Sequence, residues 1–373
     1  MNGSGTSGDP WQVTDYDDLK KVGRGYDAGD DETYALADWY ILTADIDASA
    51  SATENGTGDP VVYAGWDPIG ADFDTQFNGV LDGDGHSITG LYMNRPALHY
   101  AGFFGRMGVN PSISSDARGI VRNLSIVDAD MTGNRAVGIL AGDYFYNDTF
   151  ALESSDNSGI FDVFVSGTMT VSGSASTDMN SGGLLGGNFG GVARNCTALV
   201  DMTFNRSSGT RRTGAMFDSV AGDISDCRFI GSMTFNTTTS ADIGGFARRV
   251  FTGGVVNNCY SVCEVTGAAN ANGFAADDGG TATNSFWDTD VGPTASGLAT
   301  GKTTSEMQDI DTYTDTATVG LTTAWDMTTE ALHDGDVDTA VWYIDDGVDY
   351  PRLWFEYSAP AASAPMPQYI YGE

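Results

Sequence analysis

The sequence predicts an all-β protein, a single right-handed parallel β-helix (β-solenoid) with short capping helices and extended tails. Three observations predict it. A unit of Gly, then Asn or Asp, then alternating apolar residues, then a Gly-Gly-apolar turn recurs through the middle of the chain. Its anchors are Asn123, Asp162, Asn195, Asp226, Asn258 and Asn284, spaced by 39, 33, 31, 32 and 26 residues. Self-similarity at such a period marks stacked repeats. Within each unit the apolar residues alternate with period two, as in Val163/Val165, Cys196/Ala198/Val200/Met202/Phe204 and Cys227/Phe229, which is strand periodicity. The composition is of strands and turns: 49 glycines without a Gly-X-Y period, set among Thr, Ser, Asn and Asp. One alternating strand cannot bury its inner face alone, but the next repeat stacked on it can.

The elements follow in order. Residues 1–10 read as a flexible tail and 11–107 as an N-terminal cap with the first coils. TDYDDLKKV reads as a short helix with Thr14 as its N-cap and Asp17 three residues on. In GWDPIG…FNGVLDGDGHSITGL, Phe77, Val80, Ile88 and Leu91 read as inward residues, and Gly79, Gly83, Gly85 and Gly90 as corners. Trp66, Pro68 and Ile69 close the bottom of the stack, and Asp82, Asp84 and His86 form turns. Residues 108–290 are the repeated coils. Residues 291–357 are a C-terminal cap, with Thr303 and Glu306 of TTSEM as a capping box. Residues 358–373 are a Pro/Ala-rich tail. In it Tyr369, Ile370 and Tyr371 are expected to dock as an assembly anchor on a neighbouring subunit.

The repeats GIVRNLS…VGILAGD, GVARNCT…TGAMFD and GGVVNNCYS…ANGFAADD resemble the GLUG-motif repeat family, whose coils carry G-x-[IV]-x-N-[CS] and a G-G-[LF]-[VLA]-G turn. YALADWYILTADID, AGFFG and NSFWDTDVGPTASG resemble the family's entry strand, turn and closing segment, so the likeness spans about residues 10–356. Long inserts such as DYFYNDTFALESSDNS depart from a minimal coil. The resemblance implies surface display and adhesion.

The charge balance, 17 basic against 51 acidic residues for a net −34, has only Lys20, Lys21 and Lys302 as lysines. Such self-repulsion strains a compact state at low salt and is screened in molar salt, where the Debye length is about 3 Å. A hypersaline habitat is expected. Nucleic acid is excluded as a partner, because nothing neutralises phosphates at scale. No apolar run approaches the roughly 18 residues of a membrane span, so no membrane insertion is expected. MNGSGTSGDP has neither a positive n-region nor an apolar h-region. That start reads either as a mature fragment with an added Met or as a chain that reaches its site without secretion, as viral structural proteins do.

Signals for catalysis are sparse. Cys196, Cys227 and Cys259 each follow an anchor, equivalent to Leu124 and Val163 in earlier repeats. Stacked equivalents lie about 4.8 Å apart, so these read as a reduced, buried ladder. With no C-x-x-C pair, zinc is not expected. His86, His99 and His333 have no G-x-S-x-G nucleophile to serve. No catalytic residue, cofactor or metal is expected. DGDG at 82–85 and WDTDVG at 287–292 offer hard oxygen ligands for a structural calcium, without EF-hand spacing. Asn2, Asn55, Asn123, Asn147, Asn195, Asn205 and Asn236 begin N-x-S/T sequons. Asn55, Asn147, Asn205 and Asn236 are expected in loops and open to glycosylation, while Asn123 and Asn195 belong to corners.

Two breaks in the repeat are expected to make contacts. One carries Tyr144, Phe145, Tyr146 and Phe150, and the other, NRSSGTRR, concentrates Arg206, Arg211 and Arg212. The expected function is a non-enzymatic surface module for attachment, as the spike, turret or fibre of a haloarchaeal virus. A haloarchaeal cell-surface adhesin comes next and a β-helical polysaccharide lyase or hydrolase third. The expected partners are copies of itself in a trimer, other virion or cell-surface proteins through the tails, and a host surface glycoprotein or glycan.

Overall fold

A computed structural model describes residues 1–27, 32–58, 61–71, 75–108, 119–145, 158–172, 179–205, 211–236, 240–295, 297–329 and 340–358. The protein is all-β, built on three large parallel sheets. The largest runs through Trp11–Val13, Trp39–Leu42, Val80–Asp82, Ile120–Gly133, Gly159–Val171, Val192–Phe204, Asp223–Phe235, Tyr260–Thr266, Phe286–Asp288 and Thr300–Lys302 in that order. A second orders Phe104–Gly108, Ala141–Phe145, Leu185–Phe189, Phe217–Val220, Ala247–Phe251 and Ala276–Asp278. The third holds Met179–Ser181, Arg211–Gly214, Ser240–Gly244 and Ala269–Asn272. From residue 179 onward the chain visits the third, second and first sheets in rotation, so each strand lies beside its equivalent one repeat away.

The anchors explain the bend in the long strands. Asn123, Asp162, Asn195, Asp226, Asn258 and Asn284 all have φ between 48° and 54°. Asn and Asp tolerate this left-handed conformation better than other side chains with a Cβ. One left-handed residue shifts the alternation, so the buried residue before the anchor and the next one lie three apart: Val121/Leu124, Ile160/Val163, Ala193/Cys196, Ile224/Cys227 and Val256/Cys259. Beyond the anchor, period two resumes. Stacking is in register, as Leu124↔Val163↔Cys196↔Cys227 shows. Buried residues from successive repeats form one continuous core from Trp11 to Trp287. Aromatic pairs stack along it, with Phe204 on Phe235 at 4.5 Å and Phe246 on Phe274 at 4.7 Å between ring centroids. The expected inward residues Phe77, Ile88 and Leu91 join this core, but Val80 does not: it is buried on the opposite face of its strand, and Leu81, in register with Tyr40 and Val121, takes the inward place because successive strand residues face opposite sides. Gly79 and Gly83 sit where a Cβ would lie 2.2 Å from the carbonyl oxygens of Asp38 and Asn123.

Three expectations at the ends are corrected. Residues 1–9 are not a free tail. Asn2 bridges Gln12 in antiparallel fashion, and the Met1 amine donates to the Tyr34 hydroxyl at 3.2 Å. This fold-back covers the open edge of the first strand, an edge that would otherwise invite pairing. The helix Tyr16–Leu19 is capped by Asp15, which accepts from the Asp18 amide at 2.9 Å. Thr14 instead pairs its hydroxyl with that of Thr43 at 3.2 Å. The capping box of Thr303 and Glu306 forms as expected. The segment after it does more than cover the end of the stack. Met307, Tyr313, Trp325, Trp342, Tyr350 and Leu353 pack as a second core against the outer side of Tyr260, Val262 and Phe286.

Candidate functional site

The corner column is the most regular polar feature. Each anchor amide reaches back one repeat: Asn123 donates to Asp82 at 3.0 Å, Asn195 to Asp162 at 2.9 Å and Asn258 to Asp226 at 3.3 Å. Burial raises the carboxyl pKa of Asp162 and Asp226 above the ordinary range. The nitrogens of Asn123 and Asn195 that a glycan would need are committed to these bonds. Asn55, expected in an open loop, commits its own to the Gly65 carbonyl at 2.8 Å. Asn236 donates to Asn205 on the neighbouring repeat. Asn147 lies outside the described residues.

Asp82, Asp84 and His86 act as turn and corner groups. Asp82 accepts from Arg122 Nε at 2.7 Å and from the Asp84 amide at 3.0 Å, while His86 Nδ1 lies 3.4 Å from Asp45. In the WDTDVG turn, Asp288 is buried and accepts from the amides of Asp290 and Val291 and the hydroxyls of Thr304 and Tyr350. A cation at either turn would have to displace these donors. Among the described residues, no group of three or more His, Cys, Asp or Glu side chains converges as a metal site would. Cys196, Cys227, Cys259 and Cys263 are free and buried. Burial pushes the thiols of Cys196 and Cys227 well above their ordinary range.

The contact residues expected from sequence are placed differently. Tyr144 is a core residue, not a surface aromatic. It pairs in register with buried Met107, is 1 % exposed and meets Phe189 edge-on at 5.0 Å. Phe145 ends the same strand. Arg211 and Arg212 belong to a strand, not a loop, held between Met179–Ser181 and Ser240–Gly244. Tyr146, Phe150, Arg206, Tyr369, Ile370 and Tyr371 lie outside the described residues.

Two buried ion pairs escaped the sequence analysis. Arg228 and Glu356, with side chains 3 % and 2 % exposed, join a central repeat to the C-terminal segment. Glu356 also accepts from the Thr197 hydroxyl at 2.6 Å, and Arg228 donates to the Pro351 carbonyl at 3.2 Å. Burial opposes the charge on Arg228, but the Glu356 carboxylate outweighs it and holds the guanidinium pKa above its usual range. Asp218 is fully buried and takes Arg248 Nε at 3.0 Å, with Asp242 on the other side of the guanidinium at 3.3 Å. Desolvation pushes Asp218 up to about 7 against the pull of Arg248. A signal for the first pair was present. Arg228 occupies an outward strand position in a neighbourhood almost without bases, and Glu356 follows the aromatic run WF.

The Arg228–Glu356 pair ties together residues 128 apart in sequence, and the Asp218–Arg248 pair joins two adjacent repeats. Comparison with known proteins adds the context. The chain is similar in part to halomucin. Over 142 residues it is 36 % identical to that protein of Haloquadratum walsbyi, covering 38 % of this chain and 1 % of halomucin. Over 109 residues it is 36 % identical to a protein of Evansella cellulosilytica described as a Gly-rich membrane protein, covering 28 % of this chain and 11 % of that one. The chain thus spans only a small fraction of these relatives. A crystal structure described as an immunoglobulin A1 protease from Bacteroides ovatus superposes with a TM-score of 0.48 at 14 % identity, covering 82 % of this chain and 88 % of that one. At that score it carries no argument about activity. No family model matches the chain, so the GLUG likeness stands on the quoted motifs alone. No helix among the described residues is long and apolar enough to cross a membrane.

Proposed function

We propose that this chain is a right-handed parallel β-solenoid module of a surface-exposed structural and adhesion protein, built for hypersaline surroundings and without enzymatic activity. The observation that carries this reading is the match to halomucin over 142 residues. The net charge of −34 supports the same setting. In molar salt, screening removes most of the self-repulsion that a charge of this size causes. The repeats make a stiff scaffold, and the breaks in the repeat present contacts to a surface glycoprotein or glycan. Copies associate as a trimer, with the C-terminal tail as the anchor. The cell surface is the carrier that the halomucin match favours; a virion spike, turret or fibre is the alternative.

The test is binding of the purified chain to haloarchaeal cells and envelope fragments in molar KCl, alongside assays for polysaccharide cleavage. Saturable binding without cleavage is expected. Cleavage of a polysaccharide, with no binding to any envelope, would replace this reading with the enzyme. Immunogold labelling of particles but not of cells would move the module to a virion.

A further inference from the structure

The acidic surface is interrupted at the N-terminal end of the stack by a cleft of about 330 Å³. It lies beside the helix Tyr16–Leu19 and is lined by Lys20, Arg24, Glu54, Asn55, Trp66 and Asp67. In a chain with only three lysines, Lys20 lines this cleft and Lys21 is its neighbour in sequence. Lys20 Nζ is 2.9 Å from Asp17 and 3.1 Å from Glu54. An ammonium has three donors; two of them face these carboxylates, and Nζ also lies 5.0 Å from the centre of the Tyr16 ring. Arg24 donates to the Pro68 carbonyl at 3.1 Å and to the Asp67 carbonyl, and its guanidinium lies 5.7 Å from the Trp66 ring centre. Asp67 is held between two arginines, with Oδ2 3.4 Å from Arg24 and Oδ1 3.3 Å from Arg95. Glu54 also accepts from the Tyr16 hydroxyl at 2.7 Å. These ties fix both cations and both carboxylates in place before any ligand arrives.

We propose that this cleft binds a carboxylated sugar unit, a uronic acid residue of an acidic polysaccharide. Lys20 and Arg24 take the carboxylate through charge-assisted hydrogen bonds. Glu54, Asp67 and the Asn55 side-chain oxygen accept from the neighbouring hydroxyls, while Trp66, 1 % exposed and stacked on Phe103 at 5.4 Å, backs the cleft from the core. The volume is at the lower end for a small-molecule site, which suits one sugar-sized unit. A phosphate dianion fits less well, because two carboxylates share the wall. A basic peptide fits less well, because it would meet two cations. The inference deepens the surface reading by naming a ligand class. It has its own test, since the surface role is read on cells and this site on a pure oligosaccharide.

The charge of the whole chain gives the site a distinctive salt response. At 0.1 M salt the Debye length is about 10 Å and the acidic surface repels a polyanion; at molar salt it is about 3 Å and only contact pairs remain. Binding is therefore stronger in molar salt than at 0.1 M, the reverse of an ordinary polyanion site.

The experiment is calorimetric titration of the full chain in molar KCl with trigalacturonate and, separately, with a neutral galactose trisaccharide. Trigalacturonate is expected to bind at least about tenfold more tightly than the neutral sugar, and Lys20→Gln or Arg24→Gln to cost about tenfold each. Lys20 is partly exposed, so Lys20→Gln is expected to keep the wild-type melting temperature, and Lys20→Arg to restore most of the binding. Equal affinity for the two sugars, no binding of either, or tighter binding at 0.1 M salt would each overturn the proposal. Envelope binding that persists in Lys20→Gln while trigalacturonate binding is lost would support this site and leave the surface role to other contacts.

Discussion

At the scale of single residues, the decisive groups are those whose surroundings the alternation assigns. Tyr144 fills the core beside Phe189, so Tyr144→Ala is expected to destabilise the fold by about 3–5 kcal/mol through loss of buried aromatic area and the cavity left behind. A denaturant melt checks this. A Tyr144→Ala variant as stable as wild type would return the residue to the surface. Cys196 and Cys227 are buried with thiols far from ionising at neutral pH. Thiolate is the reactive form, so they are expected to resist alkylation until the chain unfolds. Mass spectrometry of native and denatured protein after iodoacetamide reads this directly, and native disulfide between them would contradict it.

Asp218 makes a prediction about pH. Its folded pKa, about 7, lies above the ordinary carboxyl value of 3.8, so the folded state binds the proton more tightly than the unfolded chain. Stability from this group is fully present below the unfolded pKa and is lost as pH rises through about 7. Melting temperature is expected to rise as pH falls from 8 towards 5, and Asp218→Asn to flatten that slope. An equally steep slope in Asp218→Asn would assign the effect to other carboxyls, with Asp162 and Asp226 next in line.

At the scale of elements, the C-terminal segment is a strap. It leaves the last strands of the stack, forms its own aromatic core on their outer side, and returns to Thr197 and Arg228 through Glu356. In a plain repeat stack each unit touches only its neighbours. The strap adds a bond between residues 128 apart in sequence. Removing one member of a buried pair strands the other charge. Glu356→Gln is therefore expected to cost about 3–5 kcal/mol, and the double replacement Arg228→Met, Glu356→Met clearly less. Chemical denaturation of the three proteins measures both. If the double variant is as damaged as the single one, packing around Thr197 and Pro351, not the stranded charge, is what Glu356 supports.

At the scale of the whole molecule, charge and stacking act together. The core is continuous from Trp11 to Trp287, while a net −34 is distributed over the chain. Burial of apolar area holds the stack together, and self-repulsion opposes it to a degree set by salt. Melting temperature is expected to fall as KCl is lowered from molar to about 0.1 M, where the screening length grows to about 10 Å. An unchanged or rising melting temperature over that range would remove the halophilic reading.

What the sequence by itself determined was the repeat: its anchors, the period-two strands, the cysteine ladder and the capping box at Thr303. These were legible because they arise from local backbone chemistry repeated many times. An Asn or Asp in the left-handed region, flanked by alternating apolar residues, carries its meaning within a few positions. The tertiary structure decided what local pattern leaves open. Tyr144 and Tyr146 alternate with Phe145, and nothing in DYFY says which phase faces inward; the register Met107↔Tyr144 settles it for Tyr144. The fold-back of residues 1–9 depends on the open strand edge at Gln12, and the cleft at Lys20 depends on Glu54 and Asp67 arriving from another part of the chain. The Arg228–Glu356 pair depends on where a long irregular segment lands on the outer face, and no period in the sequence encodes a contact made only once.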